Sequence, residues 1–196
     1  YLAFALFSAA AVGEVTFRII FLYLAFYFLY STPPFRLKRF FPLSIIIIAT
    51  EALLAVLLGY LFLGPQKFSI DIPLGICTLV FFIFLLTASV KDLKDIEGDR
   101  ITGVYTLPVL VGSSLARKII GVCVFAGYLI ITIFLARFFI LKATTFALAF
   151  ILATFNLFYI QRKDAKETVV FSCYLGYLSF LMLSLIVRNN LILSFS

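Results

Sequence analysis

The chain has 196 residues, 64% of them hydrophobic and 13% charged, with a formal net charge of +7 and a mean hydropathy of +1.19. Soluble domains are about 45–50% apolar and about 25% charged. Too little polar surface exists here to cover the apolar side chains, so a soluble enzyme, a disordered tail and a disulfide scaffold are excluded. A polytopic membrane protein remains, and in so apolar a chain the positive charge reads as membrane orientation, with no nucleic-acid partner.

A hydrocarbon layer about 30 Å thick takes roughly 20 apolar residues at a rise of about 1.5 Å each. An apolar stub occupies 1–12, and the pattern predicts helices at about 15–30, 42–63, 71–90, 117–138, 141–161 and 168–188. Strands of a membrane barrel would alternate polar and apolar residues, and runs such as Ile45-Ile46-Ile47-Ile48 do not. The expected fold class is all-α: a polytopic transmembrane helical bundle of six full spans plus an N-terminal partial helix. With no linker and no internal repeat, residues 1–196 read as a single domain. Residue 1 is Tyr and enters directly into an apolar run, so a chain lacking its N-terminal part is expected.

Lys and Arg alternate unevenly between connections. Arg36, Lys38, Arg39, Lys91, Lys94, Arg100, Arg117, Lys118, Arg162, Lys163 and Lys166 fall on one side, and Arg18, Lys67, Arg137, Lys142 and Arg188 on the other. The positive-inside rule places the larger set in the cytoplasm. Cys77, Cys123 and Cys173 stand apart in apolar runs and read as small buried hydrophobes. The absence of histidine excludes a histidine base, haem ligation and most zinc chemistry. Glu51, about nine residues into its predicted span beside Thr50, is either a polar contact inside the bundle or a site residue.

Of the nine acidic residues, Asp92, Asp95, Glu97 and Asp99 fall in one short stretch where the predicted 71–90 helix ends. If that helix continues, Asp92, Asp95 and Asp99 stand at i, i+3 and i+7 on one face, with Glu97 pointing away and Leu93 and Ile96 on the packing side. Stacked carboxylates repel unless a cation lies between them, and hard oxygen ligands suit Mg²⁺ shared with substrate phosphates. Lys91, Lys94 and Arg100 alongside can meet phosphate charge. A solvated, salt-bridged helix end is the competing reading. Gly98, Gly103 and Pro108 predict a long loop to Ser114. On the same face, Pro33-Pro34 stops the preceding helix at Tyr30, leaving the Tyr30 and Ser31 hydroxyls beside Arg36, Lys38 and Arg39. Those cations serve either topology or phosphate binding.

The run Lys91-Asp92-Leu93-Lys94-Asp95-Ile96-Glu97-Gly98-Asp99-Arg100-Ile101-Thr102-Gly103, followed by Thr106-Leu107-Pro108, resembles the second aspartate-rich motif of UbiA-type intramembrane prenyltransferases. Tyr30-Ser31-x-Pro33-Pro34-x-Arg36-Leu37-Lys38-Arg39 is similar to that family's other cytoplasmic signature. The resemblance runs from about the 15–30 helix to the last helix. It implies the family's nine-helix bundle around a central cavity, here without its first two helices and their Asn/Asp-rich motif, which Glu14 and Arg18 do not match.

The resemblance further implies Mg²⁺-dependent transfer of a prenyl group from a prenyl diphosphate to a lipid or aromatic acceptor. Asp92, Asp95 and Asp99 would be metal ligands, Lys91, Lys94, Arg100, Arg36 and Lys38 diphosphate contacts, and Tyr30 and Ser31 catalytic positions near the reacting end. The motif form is most similar to members acting on geranylgeranylglyceryl phosphate; quinone- and chlorophyll-type acceptors are the alternative. A transporter using Glu51, or a non-catalytic derivative of the family, are the competing classes. An integral, multi-pass protein of the cell membrane with the Asp-rich loop cytoplasmic is expected. The 25 Phe and 10 Tyr fit both lipid-facing packing and the shielding of an allylic cation.

Overall fold

The computed structural model describes residues 1–63, 74–135, 142–162 and 164–194, with side chains through 184 except at 62 and 63. Lys67, Arg137, Lys163 and the Arg188 side chain, counted above for orientation, lie outside the described residues. Nine α-helices occur among the described residues: α1 Leu2–Val12, α2 Glu14–Ser31, α3 Leu43–Leu63, α4 Leu74–Thr87, α5 Ile96–Thr102, α6 Leu107–Val111, α7 Ser113–Leu135, α8 Lys142–Ile160 and α9 Glu167–Ser194. Short 3-10 turns cover Leu37–Arg39 and Ala88–Leu93. Among the described residues six segments are long and apolar enough to cross a membrane: Glu14–Ser31, Leu43–Leu61, Leu74–Leu93, Ser113–Leu135, Lys142–Ile160 and Glu167–Ser184. The expected six spans and partial helix are therefore present.

The core lies where α7, α8, α9 and the end of α4 meet, around Ala116, Ile120, Val124, Tyr128, Ala149, Ala153, Val170 and Tyr177. Small residues on α7 and α8 let the backbones approach, which is how helices associate where lipid removes the hydrophobic drive. Gly127 has no room for a Cβ, because the Tyr174 hydroxyl already stands there. That hydroxyl donates to the Val124 carbonyl at 2.9 Å, and the Tyr174 ring stacks on Tyr128 with centroids 4.2 Å apart. Asn156 donates through Nδ2 to the Tyr128 hydroxyl and to the Leu152 carbonyl, and the Thr132 and Tyr177 hydroxyls are 2.5 Å apart. In a medium without water such pairing is what makes buried polar groups tolerable.

At the end of α8, Arg117 of α7 donates to the carbonyls of Ile160 and Arg162 at 3.0 and 2.7 Å. Gln161 returns a bond to the Arg117 carbonyl at 3.2 Å. Carbonyls that a helix end leaves orphaned are thus satisfied by a cation from the neighbouring helix. The same end of the bundle holds the Leu37–Arg39 turn and α5: Tyr105 donates its N–H to the Arg39 carbonyl, and Phe41 donates to the Tyr105 carbonyl, in a parallel bridge. The opposite flank is open. Only 6% of α2 is buried against 39% of α7, so α2 is the peripheral helix. Its Glu14 and Arg18 pair with each other at exposed positions.

Two expectations about the acidic segment are corrected. The helix does not continue through it: α4 ends at Thr87, tightens into the 3-10 turn, and breaks at Lys94 and Asp95 before α5 begins. Ala88, Ser89 and Val90 are all buried in the turn, which packs against α3, α4, α6, α7 and α9; tertiary packing sets the local winding. Nor is 98–114 a loop. Gly98 lies inside α5, Gly103 caps it with a left-handed φ of 67°, and Pro108 sits in the first turn of α6, where its missing N–H costs nothing. The three cysteines are free and half-buried, less enclosed than expected.

Candidate active site

A cavity of about 350 Å³ opens at the end of the bundle where the two signature segments meet. Tyr30 comes from α2, Arg36 and Lys38 from the segment that follows, Ser44 and Ile48 from α3, and Lys91, Asp92, Asp95 and Asp99 from the acidic segment. Thr102, Val104, Thr106 and Glu167 complete the wall. Seven of the ten site residues expected from the sequence thus line this cavity.

Asp92 is the deepest carboxylate, 9% exposed, because the 3-10 winding turns it inward. Lys91, Asp95 and Asp99 all lie within electrostatic reach of it. Asp95 is the N-cap of α5, yet its side chain makes no cap bond and is exposed to the cavity. Asp99 accepts from the Thr106 hydroxyl at 3.2 Å, so Thr106 positions a carboxylate instead of capping its own helix. The one-face arrangement expected from a continuous helix is absent, and the three aspartates converge by a turn and a second helix instead.

Lys91 donates from Nζ to the Tyr30 hydroxyl at 3.2 Å and stands 5.6 Å from the centre of that ring. Arg36 adopts a left-handed backbone, φ 39°, and its Nε is buried without a hydrogen-bond partner among the described residues. A non-glycine residue held there is strained, and such strain concentrates at functional sites. Arg39 Nε is likewise buried and unpartnered.

Three expected residues stand outside the cavity wall. Ser31 gives its hydroxyl to the Tyr27 carbonyl of its own helix at 2.9 Å. Lys94 is not on the wall and pairs at 3.5 Å with Glu167, which is. Arg100 is exposed on α5 and lies 4.0 Å from Glu97. Conversely, Ser44 and Glu167 line the cavity with nothing local in the sequence to mark them, and Thr106 was marked there only as part of the Thr-Leu-Pro run.

Among the described residues no three acidic side chains are drawn together tightly enough to hold a metal ion by themselves. The donor set nevertheless fits Mg²⁺, which takes one or two carboxylates and completes its shell with water and substrate phosphate. A second cavity, about 540 Å³ and apolar, runs along α1 and α2 among Leu6, Phe21, Leu24 and Phe28 up to Thr32.

The profile described as the UbiA prenyltransferase family matches residues 1–175, so the match includes α1, ahead of where the motif resemblance began. The chain belongs to the UbiA prenyltransferase family. A homogentisate phytyltransferase from Synechocystis sp. is 38% identical over 89 residues, covering 42% of this chain and 29% of the relative. A digeranylgeranylglyceryl phosphate synthase from Methanosphaera stadtmanae is 40% identical over 65 residues, covering 32% of this chain and 24% of the relative. The matched segments thus span less than a third of either relative's length. No solved structure matches the chain. Family membership and the six apolar helices make this UbiA-family chain an integral membrane protein.

Proposed function

We propose that the protein transfers a prenyl group from a prenyl diphosphate to a lipophilic acceptor inside the membrane, in a Mg²⁺-dependent reaction. The observation that carries the reading is the single cavity onto which Tyr30, Arg36, Lys38, Lys91, Asp92, Asp95 and Asp99 converge from two distant segments. Carboxylates and cations interleaved in one cavity suit a metal–diphosphate group better than they suit a surface salt-bridge network.

Asp92, Asp95 and Asp99 would hold Mg²⁺, which supplies charge neutralisation for the diphosphate leaving group. Lys91, Arg36 and Lys38 bind the phosphate oxygens directly. Tyr30 orients Lys91 through its hydroxyl, and Thr106 fixes the Asp99 carboxylate. Ile48 and Val104 on the wall keep water from the reacting carbon, and the apolar groove along α1 and α2 accommodates the prenyl chain. Lys94, Arg100 and Ser31 act from outside the cavity, on the support of the turn and of α2. The cation-rich end of the bundle faces the cytoplasm, where the soluble diphosphate is met.

Geranylgeranylglyceryl phosphate is the favoured acceptor, supported by the motif form and by the synthase relative. The phytyltransferase relative favours a second reading, an aromatic acceptor of the quinone or chlorophyll type. The test is labelled geranylgeranyl diphosphate supplied to the membrane-embedded full-length protein with each acceptor, with Mg²⁺ or with EDTA. Label should enter a lipid product only with Mg²⁺, and Asp95→Ala should abolish it. Incorporation that ignores both EDTA and Asp95→Ala would remove the metal site from the reading.

A further inference from the structure

Glu51 is a carboxylate within a membrane-crossing helix, and the site described so far does not use it. Along α3, Ser44, Ile48 and Glu51 follow one another at i, i+4 and i+7, within about 40° of a common line at 100° per residue. Ser44 and Ile48 line the cavity. Glu51 is the next position on that stripe, about 4.5 Å further along the helix axis into the span at about 1.5 Å per residue. Lys91, whose ammonium rests on Tyr30, lies within electrostatic reach of Glu51 as well as of Asp92. The carboxylate therefore stands just beyond the α3 residues that line the cavity, one step further into the span.

Its Oε1 is buried and has no hydrogen-bond partner among the described residues. The neighbouring Thr50 offers none, because its hydroxyl is committed to the Ile46 carbonyl at 2.9 Å. An ionisable group at such depth is costly and is retained where it meets a ligand or another polar group. Prenyl transfer requires the acceptor nucleophile to come within about 3–3.5 Å of the carbon that leaves the diphosphate. On the transferase reading that carbon lies inward of the diphosphate, as Glu51 lies inward of the cavity-lining Ser44 and Ile48 along α3.

We propose that Glu51 is a specificity-determining residue, its carboxylate accepting a hydrogen bond from a hydroxyl group of the prenyl acceptor at the inner end of the cavity. The assignment rests on the transferase reading above and extends it to the second substrate. A hydroxyl donor is the required chemistry, and both an aromatic diol and a glycerol hydroxyl possess it. A site built to bond a substrate hydroxyl rejects analogues that lack it, since the carboxylate is then left unpaired.

The experiment measures binding of homogentisate, geranylgeranylglyceryl phosphate and geranylgeranyl diphosphate to the full-length protein in nanodiscs, for the wild type, Glu51→Gln and Glu51→Leu. Melting temperature is read in parallel. At least one hydroxylated acceptor should bind the wild type and weaken tenfold or more in Glu51→Leu. Glu51→Gln, which keeps an acceptor oxygen, should lose less. Geranylgeranyl diphosphate should bind all three proteins within twofold, and Glu51→Leu should not melt earlier, because it removes a buried unpaired carboxylate. The proposal is overturned if Glu51→Leu binds both acceptors as the wild type does, if the wild type binds neither, or if all ligands weaken together with a lower melting temperature. A wild type that binds an acceptor through Glu51 yet shows no Mg²⁺-dependent transfer keeps this assignment and overturns the transferase reading instead.

Discussion

The ammonium of Lys91 lies 3.2 Å from the hydroxyl of Tyr30, 61 positions away in the chain. That contact joins the end of α2 to the 3-10 turn after α4, and with it the two signature segments. A hydrogen bond to a charged group contributes about 1.5–3 kcal/mol, more than a neutral one. It also fixes an ammonium that would otherwise sample many rotamers on its flexible stem.

Tyr30→Phe should therefore lower kcat/KM for the prenyl diphosphate by roughly tenfold, from about 1.5 kcal/mol of lost interaction. Lys91→Met should cost more, since it removes the charge itself. The double variant should be little worse than Lys91→Met, because the hydroxyl acts through the ammonium. A double-mutant cycle on kcat/KM measures this coupling. Additive losses would mean that Tyr30 works independently of Lys91.

The expected spans rested on apolar runs long enough for lipid, and such runs set helix existence almost without tertiary context; α2, α3 and α8 match their predicted limits to within a residue. The acidic segment was different. Its composition marked a site, but the 3-10 winding that turns Asp92 inward comes from the burial of Ala88, Ser89 and Val90 among other helices. No local pattern encodes that packing. The same holds for Ser31, whose hydroxyl is captured one turn back, and for Lys94, which finds Glu167 across a loop. Tyr30, Lys91 and the three aspartates were legible because a chemical reason to be polar at a helix end is visible locally. Ser44 and Glu167 reach the same cavity only through the fold.

Asp92 separates stability from activity. It is buried, with Asp95 and Asp99 close enough to repel it and Lys91 alone in opposition. Without metal, Asp92→Asn relieves that repulsion and the cost of a desolvated charge. In EDTA the variant should melt no earlier than the wild type, and later if the repulsion dominates. With Mg²⁺ and a prenyl diphosphate the order should reverse, because only the wild type gains the added stability of binding. Transfer activity should fall by tenfold or more. Thermal melting in the two conditions, beside an activity assay, checks both halves.

Arg36 and Arg100 make a contrasting pair of cations. Arg36 lines the cavity with a strained left-handed backbone, whereas Arg100 is exposed beside Glu97. Arg36→Gly relaxes the backbone, worth about 1 kcal/mol or more at such a position, so the fold should not be weakened. The KM for the prenyl diphosphate should nevertheless rise severalfold, as a phosphate contact is lost. Arg100→Ala should change KM by less than twofold, since an exposed pair of this kind contributes about 0–1 kcal/mol. Steady-state kinetics on the two variants decide the assignment, and a larger effect from Arg100 would move the phosphate site toward α5.

Gly127 tests the packing that holds the site's scaffold. A methyl group there meets the Tyr174 hydroxyl, which is itself anchored to the Val124 carbonyl between α7 and α9. Overpacking a filled core costs about 1–3 kcal/mol, so Gly127→Ala should lower the melting temperature of the detergent-solubilised protein by several degrees. The clash is with one oxygen, and Tyr174→Phe removes that oxygen while keeping the ring stacked on Tyr128. Tyr174→Phe alone should destabilise by about 1 kcal/mol for the lost hydrogen bond. Combined with Gly127→Ala, it should recover part of the loss, giving a favourable coupling between the two positions. A double variant that falls by the full sum of the single effects would mean that α7 moves away from α9 on substitution, and that the close approach is not set by this hydroxyl.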